Sequence, residues 1–332
     1  MANSKIDWTD KVWNPVTGCT KVSPGCANCY AERQSKRHAG RFGYPADEPF
    51  RVTLHPDRMD MPMKWKKPWR VFVNSMSDLF HPDVPFEFIA KVYDIIKQCP
   101  NHTFQILTKR VDRALEFYKW NVEQTGHYPG SYEWLRNVWF IATTENQDAA
   151  NDRIPILLQI PAYTRGISTE PLLSDIKLSG LIPPPGTRFK CSFCGGYTKC
   201  CSLHCQTCGK EGGYSGSFAN LNLVICGGES GPGARPMHPD WARSLRDQCQ
   251  TAGVPYFFKQ HGEWEPFYDR DNDDPDWNNI PQEKPGICRL NLAGGRGFHG
   301  DRVVYFRRVG KKAAGRLLDG REWDEMPCKN TV

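Results

Sequence analysis

The sequence predicts an α/β fold in which parallel strands form a partial or complete (β/α) barrel. Two observations predict this class: short apolar runs recur and end in polar residues, and amphipathic stretches lie between several of them. Runs that are apolar on both faces are typical of buried parallel strands, and their alternation with helices indicates a parallel sheet. The 332 residues suffice for one large domain of this kind. A doubly wound open sheet is the alternative.

The predicted elements follow one another along the chain. The strands are Val71–Val73, Phe104–Leu107, Val138–Ala142, Gly166–Ser168, Leu223–Cys226 and Val254–Phe258, with one more near the N-terminus. The helices are Phe86–Gln98, Val111–Trp120 and Trp241–Ala252. The first helix places Phe88, Ile89, Val92, Ile95 and Ile96 on one face, which the core would cover.

Charged residues follow the carboxyl ends of these strands. They are Asp78, Lys109, Arg110, Glu145, Glu170, Glu229 and Lys259. Barrel enzymes place their chemistry at this edge of the sheet. We therefore expect Asp78, Lys109 and Glu229 to act in catalysis and Ser77 to contact a cofactor. Arg235, in the glycine-rich stretch that follows Glu229, is suited to bind a carboxylate or a phosphate.

The composition is that of a soluble protein with a mild excess of positive charge. The formal net charge is +6 and the pI is near 8.6, which permits a nucleic-acid partner without requiring one. We see no apolar window of the ~18 residues that span a membrane and no secretory signal, so we expect a cytoplasmic protein. Its 14 cysteines are then not expected to form disulfides.

Three cysteines lie close together near the N-terminus, as Cys19, Cys26 and Cys29 in the spacing C-x6-C-x2-C. A structural zinc site needs four ligands, so three thiols indicate a site that is left open. Three thiolates can hold three irons of a [4Fe–4S] cluster and leave the fourth iron for a small ligand. Tyr30, directly after Cys29, could cover the cluster, and a helix is expected to begin there.

A second group of cysteines predicts a zinc site. Cys191 and Cys194 form one C-x2-C knuckle, and Cys205 and Cys208 form another after ten residues. Two such knuckles are typical of a zinc-ribbon-like site. The choice among Cys200, Cys201 and His204 as further ligands stays open. Residues 187–217 would form an insertion into a main domain of residues 1–182 and 218–332. The bound zinc would either stabilise this insertion as a loop or give it a surface that binds nucleic acid or a partner protein.

Two basic stretches could contact nucleic acid. Lys64–Arg70 (KWKKPWR) interleaves cations with two tryptophans, as sites for single strands do. The alternative is a basic loop whose tryptophans pack inward. The second stretch comprises Arg307, Arg308, Lys311, Lys312 and Arg316, which we expect on one surface helix.

The sequence resembles two groups of known proteins, one broad and one narrow. GCANCYA at residues 25–31, ahead of an α/β barrel, resembles the radical SAM superfamily. In that superfamily three cysteines bind a [4Fe–4S] cluster and S-adenosylmethionine chelates the open iron, so that reductive cleavage gives a 5′-deoxyadenosyl radical. The usual spacing is C-x3-C-x2-C, so only Cys26, Cys29 and Tyr30 carry over directly and Cys19 is our own assignment. Gly227, Gly228 and Glu229 resemble the segment that holds the cofactor's amino group there.

The second resemblance covers nearly the whole chain. WNPVTGCTKVSPGCANCYAE, NSMSDLFH, ILTKR, STEPLL, VICGGESGPGARPM, FFKQHG and GRLLDGREWDEMP look like the phage and bacterial three-Cys-motif proteins. Those proteins are regarded as radical-SAM-like and as distantly similar to spore photoproduct lyase. The resemblance implies a radical-SAM-like fold and a nucleobase or nucleic acid as a candidate substrate.

Three hypotheses follow. The first is a radical-SAM-like iron–sulfur enzyme, which would need an electron donor such as flavodoxin or ferredoxin and could require a partner protein. The second is a nucleic-acid-binding phage protein without redox chemistry, in which both cysteine groups bind zinc. The third is a metal-dependent DNA hydrolase that uses the carboxylates as ligands.

Overall fold

The computed structural model describes residues 4, 6–125, 136–160, 162, 164–179, 181, 188–191, 197–199, 214–215, 221–270, 280–297 and 303–327. Its centre is a curled, seven-stranded parallel sheet that forms half a barrel. The strands of this sheet are β1 (Lys11–Trp13), β4 (Arg70–Val73), β5 (Thr103–Thr108), β6 (Val138–Thr143), β7 (Thr164–Thr169), β11 (Leu223–Gly227) and β12 (Tyr256–Gln260).

The order of the strands in the sheet is the order in the chain. Each strand pairs in parallel with the one that precedes it in the order β1-β4-β5-β6-β7-β11-β12. A doubly wound sheet reverses its order at a switch point, and this sheet does not. The prediction of a parallel half-barrel is therefore confirmed, and the doubly wound alternative is wrong.

The two faces of the sheet carry two separate apolar clusters because side chains alternate along a strand. On β4, Val71 and Val73 belong to the large outer core, which the helices cover. Phe72 belongs instead to the inner cluster on the concave face, which comprises Trp8, Phe72, Trp139, Ile141, Leu223, Ile225 and Phe257. The concave face is thus filled below the edge at which the strands end.

The helices of the described chain are α1 (Tyr30–Arg37), α2 (Phe86–Gln98), α3 (Val111–Thr125), α4 (Gln147–Leu157), α5 (Pro239–Ala252) and α6 (Lys311–Ala314), with short 3₁₀ turns at Pro24–Cys26, Pro56–Arg58 and Pro62–Lys64. Buried side chains of α2, α3, α4 and α5 belong to the outer core, whereas α6 buries none. The buried face of α2 contains Phe88, Ile89, Val92, Tyr93 and Ile96, which is close to the predicted face. The sequence pattern did not predict α4, which contains Pro155.

Smaller sheets surround the central one. Strands β2 (Val16–Thr17) and β3 (Thr53–Leu54) pair beside the cysteine loop. An antiparallel sheet follows β12, with β13 (Trp264–Arg270), β14 (Ile287–Asn291) and β15 (Val303–Arg308) in the order β13-β15-β14. Between β7 and β11, β8 (Arg188–Cys191), β9 (Tyr197–Lys199) and β10 (Tyr214–Ser215) form a third small sheet in the order β10-β8-β9.

The structure tests the predictions made for the two basic stretches, Lys64–Arg70 and the residues from Arg307 to Arg316. Arg307 and Arg308 end strand β15, and only Lys311 and Lys312 lie on a helix. The prediction of one surface helix through Arg316 is therefore wrong, because Arg307 and Arg308 belong to a strand that pairs with β13 and β14. Trp65 and Trp69 pack against the outer core, as the alternative for Lys64–Arg70 expected.

Candidate functional site

A cavity of about 450 Å³ lies at the carboxyl edge of the parallel sheet. The cavity brings together most of the residues that the sequence singled out. Its lining includes Cys19, Cys26, Cys29, Tyr30, Ser77, Asp78, Lys109, Arg110, Glu170, Gly228, Glu229 and Lys259. Cys19, Cys26 and Cys29 are all partly exposed. Three thiols from one loop therefore face a space large enough for a small ligand.

The cysteine loop, residues 18–29, begins with a tight backbone contact. Gly18 donates from its backbone N–H to the carbonyl of Met76 over 3.0 Å and forms a bridge to Ser77. Its φ is +84°, and a Cβ at this position would lie 2.1 Å from the carbonyl oxygen of Arg51. Only glycine fits here, so Cys19 is placed by backbone contacts.

The other two cysteines lie where a helix begins. Cys26 ends the 3₁₀ turn Pro24–Cys26, and Cys29 is the residue before α1. Tyr30 starts α1, and its hydroxyl donates to the carbonyl of Ser75. Half of the Tyr30 surface is exposed, so the ring is held at one end while it lines the cavity.

Asp78 is the first of three buried carboxylates that hold the cysteine loop. It accepts hydrogen bonds from Thr108 Oγ1 at 2.8 Å, from the backbone N–H of Lys109 at 3.1 Å and from Arg110 Nη1 at 3.1 Å. The Arg110 guanidinium reaches on to Cys19 Sγ at 3.5 Å. The end of β5 and the loop after β4 thus act together on the first cysteine.

Burial and the neighbouring Arg110 cation shift the pKa of the Cys19 thiol in opposite directions. Burial raises the pKa of the Cys19 thiol most, and the Asp78 carboxylate raises it further. The Arg110 guanidinium lowers the same pKa but does not overcome burial in the metal-free protein. The Asp78 and Cys19 charges together hold the pKa of Arg110 above its usual value despite burial.

Glu145, after β6, is the second carboxylate. It is fully buried, its Oε2 lies 2.8 Å from Arg153 Nη1, and its Oε1 accepts a long hydrogen bond of 3.4 Å from the backbone N–H of Gly25. Burial favours a raised pKa, but the hydroxyl of Ser23 and the charges of Arg153 and Lys109 lower the pKa of Glu145 below its ordinary value. Glu145 therefore binds the middle of the cysteine loop as a carboxylate.

Glu229, after β11, is the third carboxylate. Arg235 donates to both of its oxygens, from Nη2 at 2.7 Å and from Nε at 2.8 Å, and from its backbone N–H at 2.9 Å. Asn28, between the second and third cysteines, donates to Oε2 at 3.0 Å. Burial works to raise the pKa of Glu229, but the bonds from Arg235 and Asn28 lower it.

These contacts change the roles predicted for the strand-end residues. Asp78 and Glu229 have protein partners on both carboxylate oxygens, so they anchor the cysteine loop and are poorly placed as proton acceptors or ligands. Ser77 donates to the carbonyl of Val16 at 3.0 Å. A Cβ on Gly228 would lie 2.0 Å from the carbonyl oxygen of His261, and one on Gly227 would lie 2.7 Å from Glu170 Oε1, so both glycines permit close packing.

Lys109 and the pair of Glu170 and Lys259 also line the cavity. Lys109 donates to Asp78 through its backbone only, and within the described part of the chain its ammonium group has no ion-pair partner. Glu170, after β7, and Lys259, on β12, form a partly buried ion pair at 3.1 Å. Glu170 and Lys259 were both predicted at strand ends, but nothing in the sequence indicated that they pair.

The cysteine loop offers three thiols, which are soft donors that bind zinc or the irons of an iron–sulfur cluster. Among the residues that the structure describes, no three His, Cys, Asp or Glu side chains are grouped to hold one metal ion. Thiolate sulfur is the ligand type that holds iron–sulfur clusters, so the three thiols that line the cavity suit such a group chemically.

Most ligands of the predicted zinc site lie outside the residues that the structure describes. Cys194, Cys205 and Cys208 lie outside the described residues, as do Cys200, Cys201 and His204. Cys191 ends strand β8, of which only the backbone is described.

Comparison with known proteins identifies the family. The chain belongs to the family described as Protein of unknown function (DUF5131), whose model matches residues 3–327. No curated protein and no solved structure matches the chain. In the described ranges, no helix combines the length and the apolar character that crossing a bilayer requires.

Proposed function

We propose that this protein is a radical-SAM-like iron–sulfur enzyme that binds a [4Fe–4S] cluster through Cys19, Cys26 and Cys29. One observation carries the proposal: the three thiols line a single cavity at the carboxyl edge of a parallel half-barrel. The three buried carboxylates Asp78, Glu145 and Glu229 support it, because they fix the loop without occupying the thiols. A purely structural zinc loop would need a fourth ligand.

In the proposed site, different residues of this chain would contact different parts of the cofactor. When bound, the cluster would supply one electron for the reductive cleavage of S-adenosylmethionine. Tyr30 lines the cavity with its hydroxyl bonded to the carbonyl of Ser75, and its ring would contact a bound cofactor from that side. Lys109 and the Glu170–Lys259 pair line the remaining wall and would orient the carboxylate and the amino group of the cofactor.

The substrate that we propose is a nucleobase or nucleotide. Lys311 joins Lys109 in the cavity lining and is exposed, so two cations without an ion-pair partner in the described chain attract an anionic ligand. The cavity's carboxylates Asp78, Glu170 and Glu229 are each paired with a cation. Tyr30 offers an aromatic surface on which a base could stack.

The outer side of the cysteine loop would receive the electron donor. Val22, Pro24 and Ala27 are exposed there, next to the exposed cation Lys21. Lys21 is paired with Glu32 at 3.2 Å, so a small electron carrier such as flavodoxin or ferredoxin would dock on this patch mainly through its apolar residues.

The test is the metal content and the EPR spectrum of protein purified without oxygen. We expect about four irons per chain with matching sulfide, and a dithionite-reduced cubane signal that changes when S-adenosylmethionine is added. Cys26→Ala should lose the iron. Cys99→Ala, which removes a buried cysteine at the end of α2, is the matched control and should keep it.

A protein that binds no iron would contradict the proposed function. Wild-type protein that takes up zinc but no iron after reconstitution would exclude the enzyme and favour the nucleic-acid-binding hypothesis. Binding to an oligonucleotide that weakens steeply with salt would then be the next measurement.

A further inference from the structure

Arg110 is the only charged group that hydrogen-bonds a thiol of the cysteine loop in the described chain. Its Nη1 lies 3.5 Å from Cys19 Sγ and 3.1 Å from Asp78 Oδ2. Its Nη2 donates to the carbonyl and to the hydroxyl of Thr20, each at 3.0 Å. The planar guanidinium of Arg110 therefore contacts Asp78, Cys19 and Thr20 at the same time.

The position of Arg110 is fixed from several sides. Its backbone N–H donates to Thr108 Oγ1 at 2.9 Å, and that hydroxyl donates to Asp78 Oδ1 at 2.8 Å. Both members of the Arg110–Asp78 pair are more than nine-tenths buried. A buried guanidinium held in this way has one geometry, and its charge is not screened by solvent.

We propose that Arg110 is a positioning residue that holds Cys19 as a cluster ligand and raises the reduction potential of the cluster. The inference rests on the proposed function, because it assigns Cys19 to an iron. Reduction adds negative charge to a cluster. A cation and an N–H donor at a ligand sulfur stabilise the reduced state, and hydrogen bonds to sulfur are a main determinant of cluster potentials.

The contact also explains the unusual spacing of the first cysteine. In C-x6-C-x2-C the six residues between Cys19 and Cys26 do not hold Cys19 near the other two thiols. Arg110, from the end of β5, fixes Cys19 against the sheet, while Ser23 Oγ lies 3.9 Å from Cys26 Sγ without a charge. The three ligands therefore differ in their surroundings, and among the described residues a cation is hydrogen-bonded to the sulfur of Cys19 alone.

The experiment is an EPR-monitored redox titration of reconstituted protein, with iron content measured on each sample. Arg110→Gln removes the charge and should shift the midpoint potential to more negative values. Arg110→Lys keeps the charge but cannot reach Asp78, Thr20 and Cys19 together, so its potential should fall between those of wild type and Arg110→Gln. Arg113→Gln is the matched control: Arg113 lies on α3 and donates to the carbonyls of His81, Pro82 and Val84, so its removal should leave the potential unchanged.

Each result has one meaning. A cluster in Arg110→Gln with the wild-type potential overturns the inference and leaves the proposed function intact. Loss of iron uptake in Arg110→Gln, with the metal-free fold unchanged by circular dichroism and with normal uptake in Arg113→Gln, supports the positioning of Cys19. If Arg110→Gln does not fold, a wild-type potential in Arg110→Lys overturns the inference. Wild-type protein without iron overturns the proposed function and the inference together.

Discussion

Asn28 donates a hydrogen bond to Glu229 over 3.0 Å, and this bond joins the cysteine loop to the loop that follows β11. The two residues are 201 positions apart in the chain. A second bond from Asn28, to the carbonyl of Gly233 at 2.8 Å, strengthens the same connection. The glycine-rich segment after β11 therefore supports the backbone between Cys26 and Cys29.

Replacing Glu229 should loosen this connection. Glu229→Ala removes the acceptor of Asn28 and leaves Arg235 without its carboxylate, so we expect the free energy of unfolding to fall by about 2 kcal/mol. Iron uptake should fall as well, because the segment between two ligands loses its support. Urea unfolding and iron content are the two measurements.

The control for Glu229→Ala is Glu87→Ala on helix α2. Glu87 is exposed, so its removal should change the free energy of unfolding by less than about 0.5 kcal/mol. Equal stability of the two variants would show that Glu229 does not anchor the loop.

Gly18 offers a second test of how the loop is held. Gly18→Ala would place a Cβ 2.1 Å from a carbonyl oxygen, at a φ of +84°. We expect a loss of about 4 kcal/mol in unfolding free energy and failure to bind iron. Gly286→Ala is closely matched, because Gly286 has a φ of +85° and nothing within 4 Å of the added Cβ.

The comparison separates backbone strain from steric contact. Gly286→Ala should lose only about 1 kcal/mol, which is the cost of the positive φ. If Gly18→Ala is no worse than Gly286→Ala, the loop moves freely and the contact with Arg51 does not place Cys19.

The parallel half-barrel could be predicted because its strands are buried on both faces. Val138–Ala142, for example, lies within a strand whose six residues are all buried, so its apolar run has no competing explanation. The antiparallel sheet β13-β15-β14 could not be predicted, because β13 (WEPFYDR) contains a proline and no regular apolar alternation, and its partner β15 is about 40 residues away. Long-range pairing of that kind leaves no local pattern.

The site could be located from the sequence, but the roles of its residues could not. Asp78, Lys109 and Glu229 were expected at one edge because parallel strands end together. Whether a carboxylate is free or paired depends on partners such as Arg110, Arg235 and Asn28. Asn28 was not among the predicted site residues. Arg235 forms an ion pair with Glu229 of the same chain at 2.7 Å, and its binding of a ligand carboxylate or phosphate stays a prediction.

The cysteines of the described chain should differ widely in reactivity. Cys19, Cys26 and Cys29 line the cavity, whereas Cys99, Cys226, Cys249 and Cys288 are buried. Burial raises the pKa of Cys226 to about 12 and that of Cys288 to about 11. Since the thiolate is the reactive form, a rise of two units from the ordinary value lowers the reactive fraction roughly 100-fold.

Alkylation of the native metal-free protein, followed by peptide mass spectrometry, measures this difference. Cys26 and Cys29 should be modified first and the four buried thiols only after unfolding. Cluster loading should then protect Cys19, Cys26 and Cys29 together. Protection of only two of the three would remove the third from the ligand set.

The last prediction concerns acid stability near the cysteine loop. His55 is buried, and its Nε2 lies 2.8 Å from the hydroxyl of Thr17, two residues before Cys19. Burial, with a smaller effect from the Arg58 charge, lowers the pKa of His55 from 6.5 to about 4. The native state therefore keeps the ring neutral at pH values where the unfolded chain protonates it.

The sign of the pH effect follows from this difference. As the pH falls below about 6.5, the unfolded state gains a proton on His55 that the native state does not bind, so the free energy of unfolding decreases until about pH 4. At about pH 5 the loss from this one residue should be about 2 kcal/mol relative to about pH 7.5. Urea unfolding at the two pH values, for wild type and His55→Gln, isolates the contribution because glutamine does not titrate. A pH dependence in His55→Gln as steep as that of wild type would assign the acid sensitivity to other groups, whereas a flatter one places it at the contact that holds the strand leading into Cys19.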